Sequence, residues 1–207
     1  LFVLYLSFTH AGQEFMAFQW DGLLLEAGFL AIFLGGGSRI VVWLYRWLVF
    51  RYLFMAGVAK LMSGDATWRG LSALDYHFWT QPLPTPLAWY AARLPQSVLA
   101  ALTAATLVIE VGFAFLVFAP RRLRAGGAWC VIGFEVLIVL TGNYNFFNLL
   151  TILLCVFLFD DAALRQIVPA RVVTRVTARP SRTDRFASAL AIAVALIVVP
   201  AGLNRLS

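Results

Sequence analysis

Residues 97–118 read SVLAALTAATLVIEVGFAFLVF and contain one charged side chain, Glu110. A helix rises about 1.5 Å per residue and the hydrocarbon core of a bilayer is about 30 Å thick, so about 20 such residues cross it. Inside that layer every backbone N–H and C=O group must be paired within the protein, which a helix does by itself. This stretch therefore predicts a membrane-spanning helix.

The composition of the whole chain is that of a membrane protein. Hydrophobic residues make up 62% of the 207, charged residues make up 13%, and the mean hydropathy is +0.85. Too little polar surface remains to cover a water-soluble domain. We expect an all-α fold, a single polytopic transmembrane helical bundle over residues 1–207 with about six to seven spans. The other apolar runs are residues 1–8, 23–34, 40–62, 126–141, 146–159 and 186–203.

The net charge of +6 comes almost wholly from arginine, which supplies 15 of the 16 basic residues. These arginines are scattered over short loops rather than gathered on one face, which argues against nucleic acid as a partner. In membrane proteins, loops rich in Lys and Arg face the cytoplasm. Every second loop along the chain is rich in arginine, and these loops are assigned to the cytoplasmic side. Their arginines are Arg39, Arg46, Arg121, Arg122, Arg124, Arg165, Arg171, Arg175, Arg179, Arg182 and Arg185.

This rule gives the expected topology. Residues 9–22, 63–95 and 142–145 are placed on the extracytoplasmic side. Residues 160–185 form a basic cytoplasmic loop, for which an anchor on anionic lipid and a binding tail are both open. The bilayer is thus the first partner that the sequence predicts.

The segment 63–95 carries the most informative pattern of the chain. Its residues Trp68, Leu71, Leu74 and Phe78 recur at spacings of three and four, which predicts one amphipathic helix at the membrane interface, with Asp65 as a cap at its start. Three prolines then hold the chain extended. Tyrosine and tryptophan in this segment suit the headgroup level, so a plain interfacial anchor is one interpretation.

The same segment resembles the signature of the lipase maturation factor family. The motifs that carry the resemblance are AKLMSGDATWR at 59–69, LSALDYH at 71–77 and TQPLPTPLAWY at 80–90. Further motifs are QWDGLLLEAGFL at 19–30, TGNYNFFNLLT at 141–151 and FDDA at 159–162. Departures from the family pattern are Ala66, Gly70 and Trp79.

The resemblance implies a polytopic membrane factor that helps secreted homodimeric lipases, or other exported proteins, reach their active form. In eukaryotes such proteins sit in the endoplasmic reticulum; the arginine-rich loops here suggest the inner membrane of a bacterium. The family's soluble C-terminal domain is expected to be absent from this chain. A distant similarity of the family to vitamin K-dependent carboxylases leaves a membrane enzyme acting on a lipid-soluble cofactor or substrate as the alternative to a non-enzymatic folding factor.

Charged side chains inside the spans call for a partner, because each costs at least ~2.5 kcal/mol in hydrocarbon. Counted in residues from the outer ends of their helices, Arg51 and Glu110 lie at similar depths, which predicts an interhelical ion pair. Glu135 is a third buried charge. A proton relay or a buried polar site is the alternative.

Lys60, at the extracytoplasmic end of its span, is the candidate catalytic base, because a partly desolvated lysine gives up its proton more easily. His77 is a second catalytic candidate. The alternative for Lys60 is a salt bridge to Asp65 or Asp75 that fixes the segment 63–95 onto the bundle.

A polar cluster is expected at the extracytoplasmic ends of the helices. Asn143, Asn145 and Asn148 could bind polar groups through their amides, and capping of the next helix is the alternative for them. Asp75 and His77 fall short of the three ligands of a catalytic zinc site, so we expect no metal, and no motif indicates a cofactor. The candidates for contact with a client or ligand are Asp21, Glu26, Asp65, Trp68, Arg69, Asp75, His77, Gln81, Asn143 and Asn148.

Overall fold

A computed structural model describes residues 1–16, 18–36, 38–168, 192–193 and 195–196. These residues form helices and no strand, which confirms the all-α prediction. Most of the run 186–203, and the basic loop beyond residue 168, lie outside the described residues. The helices are α1 (Phe2–Gly12), α2 (Gln19–Ala31), α3 (Arg39–Met62), α4 (Ala66–Arg69), α5 (Ala73–Thr80), α6 (Pro86–Ala91), α7 (Gln96–Leu107), α8 (Arg121–Thr141), α9 (Phe147–Cys155) and α10 (Asp161–Ile167).

Three described helices are long and apolar enough to cross a membrane: Arg39–Met62, Gln96–Phe118 and Arg121–Thr141. The second of these is α7 continued by a π-helical stretch, Val108–Gly112, and a 3-10 stretch, Phe113–Phe118. Phe147–Leu158 is apolar but shorter. The chain is thus an integral membrane protein by its helices, while the expected count of six to seven spans is not confirmed.

The chain divides into two compact units, and the division falls within α3. The first unit comprises residues 1–48 and 159–207. In it, α1 and α2 pack together, with the rings of Phe2 and Phe29 at 5.5 Å. The hydroxyl of Tyr5 donates to the buried carboxylate of Asp21 at 2.6 Å. Tyr45 of α3 donates to the carbonyl oxygen of Ala27 at 2.7 Å.

The second unit, residues 49–158, holds the remaining part of α3 together with α4 to α9. Helices α8 and α9 form a packed antiparallel hairpin, and α5 and α6 lie against α7 and α8 respectively. Helix α3 approaches the π-helical stretch so closely that a Cβ atom built on Gly57 would lie 2.5 Å from Val111 Cγ2 and 3.2 Å from its backbone nitrogen. Glycine at position 57 is what permits this contact.

The segment 63–95 forms two short helices, α4 and α5, where one was predicted, followed by α6. Asp65 caps α4 as expected, accepting from the backbone N–H of Thr67 at 2.9 Å. The break follows from Leu71, which has a φ of 55°. The N–H groups of Leu71 and Ser72 turn back to the carbonyls of Trp68 and Thr67, closing α4 as a helix C-terminus normally closes on glycine.

A small apolar core holds the segment 63–95 in place. It consists of Phe78, Ala88 and Leu99, from α5, α6 and α7, with Leu74 packed against it. Proline at position 86 begins α6, where its missing N–H costs no hydrogen bond. Helices α5 and α6 are therefore fixed to α7 by their buried sides.

Candidate functional site

The centre of the second unit is an ion pair between Lys60, the chain's single lysine, and Glu110. The lysine amine lies 2.6 and 2.7 Å from the two carboxylate oxygens and 3.4 Å from the carbonyl oxygen of Ala56. The indole ring of Trp68 covers the amine, with its centroid at 5.4 Å. Only 8% of the Glu110 side chain is exposed, so the Lys60 amine, rather than water, offsets the charge of its carboxylate.

The observed partners differ from the predicted ones. Glu110 was expected to pair with Arg51, and Lys60 with Asp65 or Asp75. The Arg51–Glu110 pairing assumed that the outer ends of α3 and α7 lie at one level, but Gly57 of α3 lies beside Glu110 and Val111. Counted at 1.5 Å per residue, α7 begins up to about 15 Å beyond the end of α3. This offset lifts Glu110 to the level of Lys60, and Arg51 lies about 13 Å deeper along α3, where it is buried.

The ion pair limits the chemistry that Lys60 can perform. The amine donates to both oxygens of the Glu110 carboxylate and is held there by charge-assisted hydrogen bonds. It can act on a substrate only after this pair has opened. The contacts therefore favour a structural role for Lys60 over that of a base.

A second polar contact joins α8 to α9 in the interior. Asn148 Nδ2 donates to Glu135 Oε2 at 2.6 Å, and both residues are buried. One turn further along α9, the buried Thr151 donates to the carbonyl oxygen of Phe147 at 3.1 Å, and the ring of Tyr52 on α3 packs against the Phe147 ring at 5.2 Å. Asn148 Oδ1 has no hydrogen-bond partner among the described residues. Asn148 lies within α9 and does not cap it, because the residue at the cap is Phe146.

His77 of α5 is partly buried and lies within electrostatic range of Lys60. Its Nε2 atom is 3.4 Å from the hydroxyl of Tyr144, in the connection between α8 and α9. Burial, and secondarily the positive charge of Lys60, lower the pKa of His77 below its ordinary value of 6.5. His77 is therefore neutral at pH 7. Its neighbour on the same helix, Asp75, has one buried carboxylate oxygen without a hydrogen-bond partner in the described part of the chain.

Side-chain hydrogen bonds tie the segment 63–95 to the ends of two long helices. Gln81 Nε2 donates to the carbonyl oxygen of Thr141 at 2.8 Å, and Thr85 Oγ1 donates to that of Leu140 at 2.5 Å. At the other end of the segment, the guanidinium of Arg69 donates to the carbonyl oxygen of Leu61 at 3.0 Å. The segment is thus attached at both α3 and α8.

The side of α5 and α6 that faces away from the small core is an exposed aromatic surface, which we call the aromatic face. Tyr76, Trp79, Trp89 and Tyr90 are each at least half exposed, as is Leu83 between the two helices. The guanidinium of Arg93 lies 3.2 Å from the ring centroid of Trp89 and 5.8 Å from that of Trp79. The arginine lies over the ring of Trp89 and within cation–π range of Trp79.

The structure gathers some of the predicted site residues and leaves others apart. Lys60, Trp68 and Glu110 are in contact, and His77 and Glu135 are within electrostatic range of Lys60. Asp65, Arg69 and Asn143 are exposed, and Asp21 and Glu26 belong to the first unit. Among the residues that the structure describes, no three His, Cys, Asp or Glu side chains are placed to hold a metal ion.

Four residues that matter here were missed: Tyr52, Gly57, Tyr144 and Thr151. A signal existed for two of them. Gly57 precedes Lys60 by three residues and so shares its helix face, and Thr151 follows Asn148 by the same step. Nothing in the sequence pattern singles out Tyr52 or Tyr144, whose roles depend on partners distant in the chain.

Comparison with known proteins agrees with the family resemblance of the sequence motifs. A family model described as the lipase maturation factor transmembrane domain matches residues 1–166. Lipase maturation factor 2 of Xenopus laevis is 47% identical over 175 residues, which cover 78% of this chain and 25% of that protein. The human protein of the same name is 44% identical, over 79% of this chain and 26% of its own length.

Lipase maturation factor 1 of Mus musculus is 37% identical over 182 residues, 82% of this chain and 32% of that protein. The chain therefore spans about a quarter to a third of the length of these relatives. No solved structure matches it significantly.

Proposed function

The chain belongs to the lipase maturation factor family, and from this membership we propose that it helps secreted lipases or other exported proteins to fold and assemble. The proposal assigns the contact with the client to the aromatic face of α5 and α6. The client class comes from the names of the relatives, and the place of contact comes from the exposed side chains.

The observation that carries the proposal is an exposed aromatic surface on a firmly held support. An apolar patch on a protein surface is typical of a site that binds another protein or a membrane. Tyrosine and tryptophan are enriched among the residues that dominate protein interfaces, because they bury a large area at a small cost in side-chain entropy. The core under α5 and α6 and the hydrogen bonds of Gln81 and Thr85 keep these rings in place.

We further propose that the aromatic face lies on the extracytoplasmic side of a bacterial inner membrane, or in the lumen of the endoplasmic reticulum in a eukaryotic cell. The distribution of arginine supports this orientation, because Arg121, Arg122 and Arg124 stand between the spans α7 and α8, opposite the segment 63–95. An exported client would meet the aromatic face in that compartment.

An enzymatic function with Lys60 as the base comes second. It requires a deprotonated lysine, whereas the amine donates to both oxygens of Glu110. Client binding needs no such rearrangement.

The test is a secretion assay with a homodimeric secreted lipase, coexpressed with the protein in a host that lacks its own maturation factor. We expect the double variant Trp89→Ala, Tyr90→Ala to lower the lipase activity recovered per unit of lipase protein by roughly tenfold or more, since residues of this kind often contribute about 2 kcal/mol each to an interface.

The matched control removes apolar side chains of similar exposure from two other helices, α8 and α9. Leu137→Ala with Leu149→Ala changes two exposed residues of α8 and α9 and is expected to leave the recovered activity unchanged. Equal losses in both double variants, at equal amounts of membrane protein, would contradict the assignment of client contact to the aromatic face.

A further inference from the structure

Around the Lys60–Glu110 ion pair the second unit contains more acid than base. Arg51, a further buried cation of this unit, lies nine residues or about 13 Å from Lys60 along α3 and is not among the charges that act on Glu135. Lys60, Glu110 and Glu135, which we call the buried cluster, provide two carboxyl groups and one ammonium. Lys60 is committed to Glu110 through both oxygens. Among the described residues no cation contacts Glu135, whose side chain is 3% exposed. Because an unpaired carboxylate is costly in an apolar interior, a further positive charge belongs in this cluster.

The groups around Glu135 do not supply that charge. Helix α9 presents Asn148, Thr151 and the thiol of Cys155, helix α3 presents Tyr52 and Lys60, and α7 presents Glu110. Helix α6, which also packs on α8, has no charged side chain. The arginine of α8 nearest in sequence, Arg124, lies eleven residues or about 16 Å away and donates to the carbonyl oxygens of Ala119 and Leu158.

A second observation indicates what the missing charge is. Asn148 is 2% exposed, and its Oδ1 atom lacks a donor in the described part of the chain, although its Nδ2 atom donates to Glu135. An ionised carboxylate offers acceptors only, whereas a protonated one has an O–H donor. With a proton on Oε1, Glu135 and Asn148 can form the paired hydrogen bonds of a carboxylic acid and an amide, N–H to Oε2 and O–H to Oδ1.

We propose that Glu135 and Asn148 form a proton-binding site within the membrane part of the protein, next to the Lys60–Glu110 ion pair. The bound proton neutralises the second carboxyl group and satisfies the unpaired amide oxygen at once. The ligand is a single exchangeable proton, and the number of protonated glutamates in the cluster equals the number of its carboxyl groups minus the number of its ammonium groups.

The experiment is infrared difference spectroscopy of the whole protein in lipid nanodiscs at neutral pH, with and without ¹³C-labelled glutamate. The chain contains four glutamates, Glu14, Glu26, Glu110 and Glu135. We expect the wild-type protein to show the carbonyl band of a protonated carboxylic acid, and this band to shift with the glutamate label. This measurement uses the wild-type protein alone, so its outcome does not depend on whether any variant folds.

The variants then test the charge count. Glu135→Gln should abolish the band, Lys60→Met should roughly double it, and the matched exposed replacement Glu14→Gln should leave it unchanged. A wild-type spectrum without a protonated glutamate, at any sodium concentration, overturns the proposal. A band that appears only after sodium is removed also overturns it, because the site would then hold a metal cation.

Discussion

Replacing Lys60 by methionine will destabilise the second unit by about 3 kcal/mol, because it leaves the carboxyl group of Glu110 buried without its cation. Methionine preserves most of the aliphatic length, so the change isolates the charge. The free energy of unfolding can be measured by denaturant titration of the protein in mixed micelles, followed by tryptophan fluorescence. The matched control is Arg69→Met, which removes an exposed cation that donates to the carbonyl oxygen of Leu61, with an expected cost below about 1 kcal/mol.

The double variant Lys60→Met, Glu110→Gln distinguishes a lost ion pair from a lost packing contact. Without a carboxyl group at position 110, no buried acid has to take up a proton or carry an unpaired charge, and the double variant should be more stable than Lys60→Met alone. A cost for Lys60→Met no greater than that for Arg69→Met, or a double variant less stable than either single one, contradicts the assignment.

The second large effect is expected at Gly57, where α3 meets the π-helical stretch after α7. In Gly57→Ala the new methyl group would fall 2.5 Å from Val111 Cγ2, 3.0 Å from Glu110 Cβ and 3.2 Å from the backbone nitrogen of Val111. The backbone atom cannot turn away as a side chain can, so the helices must separate. We expect a loss of about 2 kcal/mol in the free energy of unfolding.

Gly133 of α8 provides the control, since a Cβ atom built there meets nothing within 4 Å. Gly133→Ala keeps the same chemical change within a long helix and should be neutral, or stabilising by up to about 1 kcal/mol through helix propensity. Denaturant titrations of the two variants make the comparison. Equal effects of the two substitutions would show that the close contact at Gly57 does not hold α3 against Glu110.

The sequence predicted those features that depend on local composition. Apolar runs such as residues 97–118 are long enough to identify spans without knowledge of their neighbours. Asp65 was recognisable as a cap because its partner, Thr67, is two residues away. The interruption at Leu71 was not predictable in this way, because a leucine takes the left-handed position that usually marks a glycine, and Gly70 stands one residue earlier.

The sequence identified the residues of the site but not the pairs that they form. Lys60, Glu110, Glu135 and Asn148 were all named, but the Lys60–Glu110 contact depends on the offset between α3 and α7. That offset is set by packing at Gly57 and Val111, which no periodicity reveals. The contact of Glu135 with Asn148 was not apparent either, because Glu135 lies six residues before the end of α8 and Asn148 one residue after the start of α9. Counting residues along the two helices therefore places them about 8 Å apart in depth.

Site-specific photocrosslinking shows whether the aromatic face of α5 and α6 contacts an exported client. A photoreactive phenylalanine derivative is placed at Tyr90, and in a second protein at Leu137, in cells that coexpress a secreted homodimeric lipase. We expect a crosslink to the lipase from position 90 and none from position 137. Crosslinking to lipid alone from position 90, or equal lipase crosslinking from both positions, would contradict it.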